Sequence, residues 1–446
     1  MENGNIANLK VTLTPIKAAI RSDGKGDLDV LLRVIAPEQA TEGNQRMPLS
    51  LAVVIDRSGS MSGGKLEAAK ACALDLVKRL QPEDEVSVVV YDDAVEVLLP
   101  LAARNVARDK LAALLAAVSE GGSTDLHGGW LKGAQQLAPR TAANRMCRVI
   151  LLSDGQANHG ETAADRICEQ VKLLAQSGVS TTTVGLGEGF NESLMTAMAV
   201  AGQGSALYGD RAEDLAEPFD AEISLLSHLA WRDVRLVAGS ATSRWKLRSD
   251  YAKNAEGAWS LPAIANATEA WAVFSVPMES AARAQTRSRQ GMALHVTVTA
   301  RDKDGRQTEV KASLPPLPLV SADAWSAMPA DELVCRRVAE VRVANLQNRA
   351  REAVGRQDWD EAERLLKKIE VLATDQPWLQ ETLAQMRRLA SQRDHVRMSK
   401  ELAYASFSMT RRLTEIDEGG AYQSDMESTK RVYLRRKDLQ GRGGPV

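Results

Sequence analysis

Between residues 49 and 226, short and almost wholly apolar runs alternate with amphipathic ones, and nothing else in the chain restricts its fold so tightly. "LSLAVVI", "EVSVVVY", "CRVILLS" and "STTTVGL" have the length and composition of buried strands. Between them, "KLEAAKACALDLVKRL" sets Leu66, Ala69, Ala73, Leu76, Val77 and Leu80 on one stripe at helical spacing, and "RDKLAALLAAVS" and "ADRICEQVKLLAQSG" repeat the pattern. Strand and helix in alternation predict an α/β fold, a doubly wound and mostly parallel sheet with crossover helices on its faces. "YDDAVEVLLPL" departs from this rhythm. Its two extended runs around "DDA" predict a hairpin and one antiparallel edge strand.

The flanks are of another character. "LKVTLTPIKAAI" and "LDVLLRVIAP" precede the α/β segment, while "WRDVRLVAG", "EAWAVFSVPM" and "ALHVTVTARDKDGRQTEVKASL" follow it, all alternating with period two. Neither flank holds enough strands for a sandwich alone. Residues 1–46 and 229–320 are therefore expected to build one β-sandwich, with 47–228 inserted between them, since the chain ends of a doubly wound unit can lie close together. "LPPLPLVS" at 314–321 is expected to be a linker. Beyond it, 321–416 predicts an α-helical bundle: Trp359, Ala362, Leu366, Ile369 and Leu372 form one stripe, and Leu379, Leu383, Met386 and Leu389 another. No second copy at a fixed period argues for a repeat array. Residues 417–446 lose periodicity and end basic and glycine-rich, as a flexible tail does.

A chain of 446 residues suggests two or three such domains. Its 56 basic and 58 acidic side chains leave a formal charge of -2, so no nucleic-acid partner is expected. No apolar run reaches the roughly 18 to 20 residues of a membrane span, and "MENGNIANLK" has no signal-peptide pattern. A cytoplasmic protein with no membrane partner is expected. Cys72, Cys147, Cys168 and Cys335 stand singly in apolar surroundings, as reduced core thiols do.

In doubly wound folds the functional crevice lies outside the carboxyl ends of the strands, so the loops leaving those ends belong together. "DRSGSMSGG" follows the first strand, "GGSTDLHGG" at 121–129 is expected to be a loop between two helices, and "SDGQANHG" at 153–160 follows "CRVILL". They offer Asp56, Ser58, Ser60, Thr124 and Asp154, all hard oxygen donors and only two of them acids. Magnesium prefers such a set, and an ion balanced by two negative charges still wants an outside anion. Other chemistries fit less well. A haloacid-dehalogenase phosphatase needs a second acid where Ser58 stands, a phosphate-binding loop needs Ser or Thr where Leu66 follows Lys65, and a serine hydrolase needs a Gly-x-Ser-x-Gly elbow.

In this order and at these separations, "DRSGSMSGGKL", "GGSTDL" and "LLSDGQAN" resemble the three parts of the metal-ion-dependent adhesion site of von Willebrand factor type A domains, over about 49–226. The resemblance implies that Asp56, Ser58, Ser60, Thr124 and Asp154 hold the metal directly or through water, with Ser123 or Asp125 as substitutes for Thr124. Magnesium is the implied ion, manganese and calcium the alternatives. It also implies a protein partner whose Asp or Glu completes the metal shell, met by a rim of Asp125, His127, Trp130, Asn158 and His159. Trp130 reads equally well as core at the start of "GWLKGAQQLA". The flanking segments are similar in layout to bacterial relatives of inter-alpha-trypsin-inhibitor heavy chains and calcium-activated-channel-regulator-like proteins. With no visible signal sequence, the resemblance points to an intracellular adaptor or assembly factor and to a MoxR-type AAA+ ATPase as one partner. No nucleophile or base is evident, so no enzyme is expected. The alternative, a metal-dependent phosphoester hydrolase, would need His127, His159 or Asp125 as its base.

Overall fold

The computed structural model describes residues 5–6, 9–36, 47–141, 145–187, 190–209, 212–238, 245–254, 256–279, 294–302, 304–373, 377–411 and 414–415. They fall into two compact units, one drawn from Met1–Gly43 with Leu229–Glu418, the other from Asn44–His228. The first long strands, β1 (Leu9–Pro15) and β2 (Asp27–Ala36), belong to the former.

The α/β unit runs β3 (Leu49–Asp56), α1 (Lys65–Arg79), β4 (Glu85–Tyr91), β5 (Val95–Ala103), α2 (Arg104–Ala116), α3 (Leu126–Leu137), β6 (Met146–Ser153), α4 (Ala164–Gln176), β7 (Val179–Leu186), α5 (Glu192–Ala201), β8 (Gln203–Gly209) and α6 (Ala212–Ser227). Its sheet has the order β8-β7-β6-β3-β4-β5, parallel except for the expected antiparallel β4–β5 hairpin. Every residue of β3, β6 and β7 is buried, which is why these segments are apolar without alternation. Crossovers leave β3 toward β4 on one side and enter β6 on the other, so the topological switch point lies between β3 and β6. α3 begins at Leu126, shortening the expected 121–129 loop to end at Asp125, whose carboxylate accepts from Gly128 N at 2.8 Å and caps the helix. Leu126, Gly129, Trp130, Gly133, Ala134 and Leu137 form the buried face of α3. At Gly129 a Cβ would stand 2.4 Å from the Tyr91 ring, so only glycine allows this approach.

The other unit continues with β9 (Leu229–Ala238), β10 (Thr268–Pro277), β11 (Leu294–Arg301), β12 (Gln307–Leu314), α7 (Glu332–Gly355), α8 (Trp359–Ala373), α9 (Pro377–Ser391) and α10 (His395–Arg411). β2 pairs with β10 along its whole length, from Asp27 opposite Pro277 to Ala36 opposite Thr268. The sheet containing β1, β2 and β10 and the sheet containing β9, β11 and β12 share a core of Leu9, Leu32, Val34, Trp231, Leu236, Phe274, Val298 and Val310. N-terminal and later strands thus build one sandwich.

The proline-rich 314–321 segment is not the boundary expected of it. Leu314 and Leu317 pack with Ile20, Leu28, Val30, Val276 and Met278, and Leu319–Val320 pairs in parallel with Ile20–Arg21. On α7, Val334, Val338 and Val341 lie against Leu31, Trp271 and Val273 of the sheet. Helices and sandwich are therefore parts of one compact unit, and Ala362, Leu366, Ile369, Leu383 and Met386 form the helices' own core. The tail expected over 417–446 lies outside the described residues. All four cysteines are free thiols. Among the described residues no helix is long and apolar enough to cross a membrane.

Candidate metal centre

Parallel register decides what stands around Asp56. It ends β3 opposite Tyr91 of β4, while Ile55 pairs with Leu152 of β6, so Ser153 comes next to it at the switch point. Asp56 is fully buried. Its Oδ1 accepts from the Ser58 amide at 2.9 Å, and its Oδ2 accepts from the Ser153 hydroxyl at 2.6 Å and the Tyr91 hydroxyl at 3.3 Å. Burial raises its carboxyl above the ordinary value. The hydrogen bonds from Ser153 and Ser58 oppose that rise, and the neighbouring Asp154 charge adds to it. Burial, reinforced by Asp56, pushes the Tyr91 phenol well above its usual range, so it remains a donor to Asp56.

After Asp56 the chain makes one tight turn, Gly59–Met61, with Met61 buried beneath it. The turn brings the Ser58 and Ser60 hydroxyl oxygens to 3.1 Å, Ser58 being buried and Ser60 exposed. Gly63 and Gly64 then take left-handed backbone, with φ of 75° and 92°, which lets α1 start at Lys65. The second loop is stitched to the first by Gly121 N to Arg57 O at 2.8 Å and Gly59 N to Gly122 O at 3.1 Å. The third is stitched to the second: Thr124 N donates to Asn158 Oδ1 at 2.7 Å, while the amides of Asn158 and His159 donate to Thr124 O at 3.2 and 3.1 Å. Asp154, buried at the end of β6, lies with its Oδ2 3.3 Å from Lys65 Nζ, which also donates to Ser60 O at 2.7 Å. An ammonium group from α1 therefore bridges the first and third loops.

The three loops that carry Asp56, Ser58, Ser60, Thr124 and Asp154 are thus hydrogen-bonded into one cluster. Within "GGSTDL", Thr124 is the buried member, Ser123 is exposed and Asp125 is spent on capping α3. The rim differs from expectation. Trp130 is fully buried, its indole N–H donating to Thr181 Oγ1 at 3.0 Å, because it falls on the buried stripe of α3 with Leu126, Ala134 and Leu137, so of its two readings the structure shows the core one. His127 is half-buried with Nε2 2.8 Å from Gln170 Oε1. Asn158 and His159 are exposed. Ser153, Tyr91 and Lys65 support the site without having been singled out from sequence. The pairing register of β3 with its two neighbours is what would have found the first two.

The donor set fits a hard divalent ion. Magnesium is bound by one or two carboxylates with neutral oxygens and waters, and here two buried acids come with three hydroxyls. Among the described residues no three His, Cys, Asp or Glu side chains gather in the manner of a zinc site.

Residues 50–220 match the von Willebrand factor type A domain. A Synechocystis sp. protein, sll0103, is 28% identical over 207 residues, covering 46% of this chain and 48% of its own length. Human inter-alpha-trypsin inhibitor heavy chain H3 is 27% identical over 207 residues, covering 44% of this chain and 23% of its own. The chain spans about half, and about a quarter, of the length of these relatives. Two solved structures resemble it over 90% of its length and 98% of theirs: the ArnB paralog VWA2 from Sulfolobus acidocaldarius, with a TM-score of 0.61 and 18% identity, and a von Willebrand factor type A protein from Catenulispora acidiphila, with 0.65 and 17%. That likeness is one of fold, and it takes in sandwich and helices as well as the α/β unit.

Proposed function

We propose that this chain, whose residues 50–220 are a von Willebrand factor type A domain, captures a protein partner through a divalent ion held by Asp56, Ser58, Ser60, Thr124 and Asp154. One observation carries this reading: two buried carboxylates and the hydroxyl-bearing loops converge at the switch point, already drawing the Lys65 ammonium to Asp154. Bound there, magnesium would supply an electrophilic position for an outside carboxylate. The chain's own groups do the rest. Ser153, Tyr91 and the Ser58 amide fix the Asp56 carboxylate in one orientation, and the backbone bonds among the three loops hold the hydroxyls in place before any partner arrives. His127, the base a hydrolase would call on, is engaged with Gln170 instead, which favours binding over catalysis. The proposal includes a cytoplasmic adaptor role, with an AAA+ ATPase among the partners.

Capture from native lysate, with magnesium and with EDTA, tests it. Wild-type protein should retain partners in magnesium only, and Asp56→Asn, which keeps the size of the side chain, should match the EDTA result. Equal capture under both conditions sinks the metal-dependent reading.

A further inference from the structure

In the unit that does not contain the metal centre, a cavity of about 560 Å³ opens between the sheet holding β2 and β10 and the helices α7 and α8. Its floor is aliphatic, with Val273 from β10 and Val338 and Val341 from α7, all buried. Its walls carry Arg248, Arg342, Arg349 and Lys368 against a single carboxylate, Asp29. That carboxylate lies 3.3 Å from Arg342. Arg248 leans 3.0 Å from Asp27 and Arg349 3.5 Å from Glu361, outside the cavity, and Lys368 makes no ion pair among the described residues. Val371, 75% exposed, continues the apolar surface out of the cavity along α8.

We infer that this cavity is a second recognition site, which takes an acidic peptide segment of a partner protein by seating an aliphatic side chain on the valine floor and its flanking carboxylates on the cationic walls. The volume lies within the range of pockets that bury a ligand specifically. Three guanidinium forks suit carboxylates, which they can grip with paired hydrogen bonds. The lining has no aromatic ring on which a base could stack. An apolar track leading to solvent past Val371 suits a chain that enters and leaves, where a compact metabolite would need closure. The protein's own end, "KRVYLRRKDLQGRGGPV", is basic and would be repelled.

The test pans a display library of random peptides, about twelve residues long, on the intact protein in EDTA, so that the metal centre plays no part. The enriched peptides are then measured against the double variant Arg349→Glu, Lys368→Glu. Both side chains are exposed and belong to the unit that does not carry the metal cluster, and Lys368→Glu alone serves if the double variant melts early. Enriched sequences should place Asp or Glu beside Leu, Ile or Val, bind the variant about tenfold or more weakly, and weaken with salt. Neutral or basic winners, unchanged binding to the variant, or no enrichment overturn the inference. Binding of dodecanoate without peptide enrichment gives the cavity to a lipid and overturns it too. A failed capture in magnesium leaves this result standing, and the reverse holds equally.

Discussion

Ser153 is a sharper probe of the proposed metal centre than any of the proposed ligands, because it would act on an ion only through Asp56. Its hydroxyl holds Oδ2 at 2.6 Å, and partners of that kind typically contribute 10–100-fold in metal affinity. Ser153→Ala should therefore weaken manganese binding by about that factor in calorimetry, while the protein stays folded. Unchanged affinity would mean that Asp56 is oriented by the loops alone. Asp56 itself is more deeply placed than a strand end facing solvent would be. Truncating it to Ala would strand the Ser153 and Tyr91 hydroxyls, at about 1–3 kcal/mol, so Asn is the informative replacement. Trp130→Ala should behave as a core truncation and lower stability by about 3–5 kcal/mol, with His127→Ala costing far less. Urea denaturation distinguishes the two. The motif residues were legible because carboxylates and hydroxyls in glycine-rich loops are chemically conspicuous. Ser153 and Tyr91 were not, since their place depends on which residues face each other across parallel strands.

Where α7 crosses the sheet, a buried chain of charges replaces part of the apolar contact. Arg33 and Arg337 both pair with Glu269, and Arg337 also holds Glu340 at 2.9 Å. Burial raises the Glu340 carboxyl above its ordinary 4.5, the Arg337 charge pulling the other way. The folded chain thus retains a proton that the unfolded chain releases. What this group adds to stability is fully present below 4.5 and is lost as pH rises through the folded value. Glu340→Gln removes the titration, so as pH rises above 4.5 its unfolding free energy should gain on that of the wild type until the folded-state carboxyl has ionised; curves parallel from the start would refute this. Nothing in the sequence announced this crossing, because "LPPLPLVS" has the composition of a spacer and only long-range packing shows otherwise. β8 was missed for a related reason. "QGSALYG" is rich in small residues and, as the last strand of its sheet, only partly buried, so it lacks the apolar run that marked its neighbours. The strand and helix periods elsewhere in 49–226 were plain, since both faces of that sheet are covered.

The division into two units predicts how pieces of the chain behave. A fragment of residues 47–228 should melt cooperatively and keep the metal affinity of the full protein, because its sheet and its site are complete within it. Deleting 1–46 should do the opposite, leaving β10 without the ten-residue partner that covers its edge and driving aggregation. A monomeric, cooperatively melting product of that deletion, read by light scattering and calorimetry, would contradict the shared sandwich. The pairing of β2 with β10 also bears on how the protein is made. Arg33 meets Glu269 across 236 positions of sequence, and a ribosome adding about 5–20 residues per second needs roughly 10–50 s to cover that stretch. Throughout that interval the nascent β1 and β2 have no sheet to join, while the α/β unit emerges entire behind them. The strands synthesised first must wait for a partner made more than two hundred residues later, and until then their open edges are what a nascent-chain chaperone would have to shield.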